Sequence, residues 1–394
     1  MQSIKRLVED IDASDRTLGQ GWISGVAALF LSLLGLATVL CFWFPQWLTV
    51  AQTREFYAQN LTLIRLTLFV VLVSAFVLAL ISTILRQRKI LGFTSMGITL
   101  LATLMGGSAA SSKLNVNSDL YLGLDFFLLN VLFLGAIFVP IERLFKQVEQ
   151  PILRYEWRED LFYFLVSTLF VQTLTFLSLA PALATLAATP WLNSLRSAIA
   201  SQPQFLQFLE IMFLTDLAQY WFHRTFHQVP ALWKFHAVHH SAQAMDWMAG
   251  SRMHLFEIIS MRAFTTLPMY VLGFSETSLH AYIFFVYLMS VFIHSNVHFS
   301  FGFLGYIIAT PRYHHWHHAI ESEAIDKNFA IHFPILDMIF GTFHLPSNRW
   351  PQGYGINGHP VPSGYWQQFW YPFRKSARSA KEPNNDLQTH DSNG

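Results

Sequence analysis

Thirteen of the chain's 17 histidines lie between His223 and His318. Eleven of them form four clusters: HRTFH (His223, His227), HAVHH (His236, His239, His240), HSNVH (His294, His298) and HHWHH (His314, His315, His317, His318). Residues i, i+3 and i+4 share one face of a helix. Two pairs (His223 with His227, His294 with His298) and two triples (His236, His239, His240 and His314, His317, His318) therefore put ten imidazoles in register. His315 is out of register and is read as non-ligating. Left without partners, buried imidazoles would cost roughly 1–3 kcal/mol each. Metal coordination removes that cost and explains the spacing. Neutral imidazole suits zinc, copper, iron or nickel. Ten ligands exceed the four of one tetrahedral zinc, so two ions sharing the set is the simplest account.

Several chemistries are excluded. There is no HExxH, so a zinc protease would lack its general base. There is no Glu-x-x-His pattern of the carboxylate-rich di-iron bundles. The single cysteine, Cys41, rules out an internal disulfide, a four-cysteine zinc site and an all-cysteine iron–sulfur cluster held by this chain alone. A net charge of +1, with no basic stripe, gives no case for nucleic acid.

The elements that must position the histidines read as membrane helices. Hydrophobic residues make up 53% of the chain and charged residues 12%, about half the charged share of an ordinary globular domain. Such apolar surface needs lipid to cover it. The polar first 20 residues and a first apolar run with no small-residue cleavage site argue against a signal peptide. Apolar runs predict spans at Trp22–Phe44, Leu61–Leu85, Ile90–Ala109, Tyr121–Ile141, Leu161–Leu186 and Phe205–Phe222, the last leading into His223. A further run, Leu255–His298, breaks near Gly273 and reads as a helical hairpin that enters and returns. Lys5, Arg6 and Arg16, then Arg86, Arg88 and Lys89, then Arg143, Lys146, Arg154 and Arg158 alternate with loops poorer in positive charge. That pattern places the amino terminus, the histidines and the carboxyl terminus on the cytosolic side. The expected fold is all-α: a polytopic membrane protein with a histidine-rich helical cap at its cytosolic face. Residues 1–150 form an amino-terminal membrane region of about four spans, 151–375 the catalytic part and 376–394 a disordered polar tail.

The residues around the clusters resemble the membrane fatty acid hydroxylase superfamily, also called the sterol desaturase family. The likeness runs from about Asp216 to Gly341. It rests on DLAQYWFHRTFH (216–227), LWKFHAVHHS (232–241), His294-xxx-His298, TPRYHHWHHA (310–319), IDKNFA (325–330) and DMIFGT (337–342). The resemblance implies a di-metal centre of two iron ions, which zinc can replace in purified protein. Its ligands would be His223, His227, His236, His239, His240, His294, His298, His314, His317 and His318. It implies a lipid oxygenase that hydroxylates or desaturates a C–H bond with O2 and two electrons, on a sterol, ether lipid or fatty acyl chain. IDKNFA and FGTF look closest to the alkylglycerol monooxygenase branch. The first 150 or so residues have no counterpart in the minimal family core. No electron-carrying segment is visible in the chain, so an external cytochrome b5-, ferredoxin- or flavin-type reductase is expected as partner.

Imidazole ligands usually give their second N–H to a carboxylate or carbonyl. Asp216, two helical turns before His223, and Asp326 and Asn328, just after the last cluster, are the candidates for orienting them. His254, in the segment Arg252-Met253-His254 with Glu257 nearby, is a candidate orienting group or further ligand. The alternative reading is a membrane metal-binding or transport protein with the histidines as a relay. Transport favours ionisable groups deep in several spans, and the histidines cluster at one face instead.

Overall fold

The computed structural model describes residues 2–11, 19–111, 121–299, 301–347 and 349–374. The polar tail 376–394 lies outside them. Among the described residues the protein is all-helical. Its extended pairings are two isolated bridges, Lys146 with Val297 and Ala319 with Tyr354. Six helices are long and apolar enough to cross a membrane: Trp22–Trp43, Leu61–Leu85, Ile90–Ala109, Leu124–Leu144, Val171–Ala188 and Glu276–His294. The all-α, polytopic membrane fold is as the composition required.

The chain divides into two compact units, Met1–Phe133 with Thr168–Gln172, and Leu134–Ser167 with Thr173–Gly394. In the first, Trp22–Trp43, Leu61–Leu85 and Ile90–Leu104 pack on one another around Val39, Phe42, Leu68, Leu72 and Ala102. Lipid supplies no hydrophobic drive between helices, so close packing through small residues must do it. Gly25 and Gly92 show how close: a Cβ there would stand 2.5 Å from Ser82 Oγ and 2.0 Å from Thr83 Oγ1. Polar groups near the helix ends find partners. Arg86 pairs with Asp10 at 2.6 Å, and Asp125 accepts from the Val50 N–H, Thr53 and Tyr57.

The second unit is built on the Gln204–Gln228 helix, which packs against Pro230–His240, Leu255–Val271 and Glu276–His294. The run Leu255–His298 folds into two helices joined near Gly273, Leu255–Val271 and Glu276–His294, of which the second is among those long and apolar enough to cross a membrane. Gly273 takes φ +74°, which only glycine adopts without strain, and Ser275 then caps Glu276–His294 by accepting from the Ser278 N–H. At the hairpin tip the Ser275 N–H donates to Gln207 Oε1 at 2.8 Å. The tip therefore lies beside the start of the Gln204–Gln228 helix, and the hairpin's open end lies beside its histidines.

Two expected spans differ. The run Leu161–Leu186 is broken at Phe170 into Trp157–Leu169 and Val171–Ala188, and only the second qualifies as a span. The first turn of Trp157–Leu169 carries Asp160, which is held by Arg154 and Arg252, so this helix is anchored by ion pairs in the histidine unit. The run Phe205–Phe222 continues to Gln228 without a break, but Gln207, Glu210, Asp216 and the histidines leave it outside the six apolar helices.

Candidate metal centre

Four helices bring the histidines in. Gln204–Gln228 carries His223 and His227 on one face. Val229 is extended, and Pro230, which needs no N–H partner at a helix start, opens Pro230–His240 with its triple. Thr310 accepts from the Tyr313 N–H, and Pro311 opens Pro311–His317. His294 ends the hairpin. The result is two buried groups. His223, His227, His236, His240 and His317 form one, and His239, His294, His314 and His318 the other. Each residue offers one ring nitrogen, and within each group these lie within 4.8 Å of one another. The groups adjoin: the rings of His240 and His318 stack with centroids 4.4 Å apart.

The tautomers are dictated by the partners. His223 Nδ1 donates to the Phe329 carbonyl at 2.9 Å, His239 Nδ1 to Arg252 at 3.1 Å, His294 Nδ1 to Ser290 at 2.7 Å and His317 Nδ1 to Lys327 at 2.8 Å. A carbonyl only accepts, so these Nδ1 atoms carry the protons and the Nε2 atoms hold bare lone pairs. His239 and His294 turn such lone pairs toward each other at 3.3 Å. Elsewhere Nε2 atoms meet at 3.0 Å (His294, His314), 2.9 Å (His223, His236) and 3.1 Å (His227, His240). Metal–imidazole bonds of about 2.0–2.1 Å put two nitrogens on one ion roughly 3–3.5 Å apart. The donor set therefore fits a cation in each group. Burial, then the neighbouring imidazoles, hold His236, His239, His240, His317 and His318 well below the ordinary histidine pKa, in the neutral form that binds metal.

Nine of the ten expected ligands are thus brought together. His298 is not. The helix ends at His294, Ser295 turns extended, and the i+4 relation fails. His298 instead bonds Gln147 and stacks on Trp350 at 5.6 Å. His315 stands outside both groups, with its Nδ1 2.9 Å from the Tyr354 hydroxyl and its Nε2 3.3 Å from the His294 carbonyl.

The expected orienting residues divide. Asp326 does meet a ring: its Oδ1 lies 3.2 Å from His227 Nδ1. Asp216 and Asn328 act on backbone. Asp216 accepts from the Ile331 and Phe333 N–H groups at 2.8 and 2.7 Å. Asn328 donates to the Tyr313 and His344 carbonyls at 2.9 and 2.7 Å and accepts from the His344 N–H at 2.7 Å. His254 caps Leu255–Val271 through its Nδ1, and its Nε2 donates to the Phe369 carbonyl at 3.0 Å, so it faces neither group.

Two residues to which the sequence assigned no role are prominent. Glu257 Oε1 lies 2.5 Å from His236 Nδ1, both side chains buried. Asp337 accepts from the Phe329 and Ala330 N–H groups at 2.8 and 2.9 Å and from the Tyr313 and Thr342 hydroxyls, fixing the loop that carries Phe329. Behind the second group, a Cβ on Gly250 would stand 2.8 Å from His294 Nδ1. Arg252, whose carbonyl holds His239, is itself fixed by Asp160 at 2.6 Å and Glu156 at 2.9 Å.

Residues 208–342 match the family model described as fatty acid hydroxylase. An ornithine lipid hydroxylase of Rhizobium tropici is 30% identical over 180 residues, 45% of this chain and 53% of that protein. The alkylglycerol monooxygenase of Homo sapiens is 33% identical over 147 residues, 37% of this chain and 32% of the relative. Methylsterol monooxygenase 1-2 of Arabidopsis thaliana is 28% identical over 137 residues, 34% of this chain and 46% of the relative. The chain spans about half the length of the first of these relatives and less of the others. No solved structure matches. The likeness read from the histidine clusters is borne out.

Proposed function

We propose, from the match of residues 208–342 to the fatty acid hydroxylase family, that this integral membrane protein is a lipid oxygenase whose two histidine groups hold two iron ions. The observation that carries the reading is the convergence of bare Nε2 lone pairs in two adjoining buried groups. When bound, iron there supplies the activation of O2 and the two-electron oxidation of a C–H bond. His223, His227, His236, His240 and His317 hold one ion, and His239, His294, His314 and His318 the other. Around them the chain orients His223, His227, His236, His239, His294 and His317 through their Nδ1 atoms and buries all nine rings.

The substrate is a lipid reaching the centre from the bilayer. The relatives' names span ornithine lipid, alkylglycerol and methylsterol, so the class proposed is a lipid with a long apolar body, hydroxylated or desaturated. Electrons come from an external reductase. The Gln204–Gln228 helix runs beside the hairpin from its tip to the histidines, which supports its crossing the bilayer despite its polar residues. The loop charges support a cytosolic location for the metal centre.

The test is anaerobic loading of the full chain with ferrous iron, then O2 and a reductant, with bilayer lipid extracts followed by mass spectrometry. Oxygenated or desaturated lipid is expected. Its absence across sterol, ether-lipid and fatty-acyl pools would refute the activity.

A further inference from the structure

The two histidine groups differ in what stands behind their rings. In the four-histidine group the Nδ1 partners of His239 and His294 are neutral carbonyls, and the Nδ1 atoms of His314 and His318 are buried without a hydrogen-bond partner. In the five-histidine group His223 and His317 also face carbonyls, but His236 and His227 face carboxylates. Glu257 is the stronger of the two. It is 2% exposed, against 32% for Asp326, and its contact is 2.5 Å against 3.2 Å. Its second oxygen has no hydrogen-bond partner. The nearby cation Arg252 is taken by Glu156 and Asp160. The Glu257 carboxylate is therefore directed at His236 alone.

A carboxylate behind an imidazole raises its basicity as a ligand, and losing such a partner typically weakens metal binding roughly 10–100-fold. We infer that Glu257 is a positioning residue that makes the two metal sites unequal: the ion in the five-histidine group is held more tightly and is harder to reduce than its neighbour. Asp326 adds to the same side through His227. The inference rests on the two-metal reading proposed above. It adds a division of labour, in which the four-histidine site is the one that exchanges its ion and accepts electrons first.

The experiment uses the full chain in detergent, stripped of metal and titrated anaerobically with ferrous iron-57, followed by calorimetry and Mössbauer spectroscopy. Wild type is expected to bind two ions in two separable steps and to show two distinct ferrous signals. Glu257→Gln is expected to weaken the tighter step by roughly 10–100-fold and to change one signal while leaving the other in place. Glu257→Asp should restore part of the loss. Asp326→Asn, at a more exposed position, should weaken the same step by less, and it stands in should Glu257→Gln fail to fold. Equal weakening of both steps, or of the weaker alone, overturns the inference. So does a wild type with two indistinguishable sites. Wild type binding fewer than two ions would overturn the two-metal reading, and this inference with it.

Discussion

The carbonyl of Lys327 meets Nδ1 of His317 at 2.8 Å because the residues on either side of it, Asp326 and Asn328, both take the left-handed φ of 58°. The same turn places Asp326 on His227 and the Phe329 carbonyl on His223. One four-residue loop thus orients three of the five rings in the first group, and Asn328 pins it without touching a ring.

Substitution at Asn328 separates conformation from bonding. Asn328→Gly keeps the left-handed backbone and loses the side-chain bonds, and Asn328→Ala loses both. Alanine should be the less stable of the two by about 1 kcal/mol. Both should lose iron from the five-histidine group before the other. Thermal melts in detergent, with metal analysis, measure this.

Asp216 should behave as a structural anchor. Asp216→Ala leaves the buried N–H groups of Ile331 and Phe333 unpaired, at roughly 1–3 kcal/mol each. The expected result is a protein about 2–6 kcal/mol less stable that still binds both ions where it folds. Selective loss of one ion from a protein as stable as wild type would contradict this assignment.

His298 and His318 distinguish nine ligands from ten. His298→Ala should retain two ions per chain, since the ring faces Gln147 and Trp350. His318→Ala should retain one tightly bound ion. Metal content after gel filtration decides, and loss of an ion from His298→Ala would restore the tenth ligand.

His332 makes stability depend on pH. It is fully buried against Tyr282, and burial pushes its pKa down to about 3 from 6.5. The unfolded chain takes up the proton first as pH falls, so stability present above pH 6.5 is lost progressively below it. Between pH 7 and pH 5 this one group accounts for about 2 kcal/mol. His332→Gln should flatten that part of the profile in melts of the metal-free protein.

The helical spacing of the histidines was legible where i meets i+4, as at His223 and His227, His236 and His240, and His314 and His318; the remaining member of each triple, His239 or His317, crosses to the other group. It misled at His298 because the pattern carries no mark of Glu276–His294 ending where it does. Asp326 was visible as a carboxylate close behind the last cluster. The carbonyls of Phe329, Lys327 and Arg252 were not, since every residue has one and only the fold aims it. Asp216 stood at the right helical phase to face His223. The structure spends it on the 331–333 backbone, whose N–H groups have no other acceptor. Hydropathy found the first four spans directly. The run into His223 is also one unbroken helix, but Gln207 and Asp216, which hold the hairpin tip and the loop, dilute its hydropathy.

Gly250 lies behind His294 with room for no side chain. Main chain thus lies close against the Nδ1 edge of the ring, the same edge that the Ser290 carbonyl holds. Even a methyl group at position 250 would push a ligand off its place without altering any ligand. The reach of the metal centre along the chain is therefore wider than its histidines, and it includes a residue with no side chain at all.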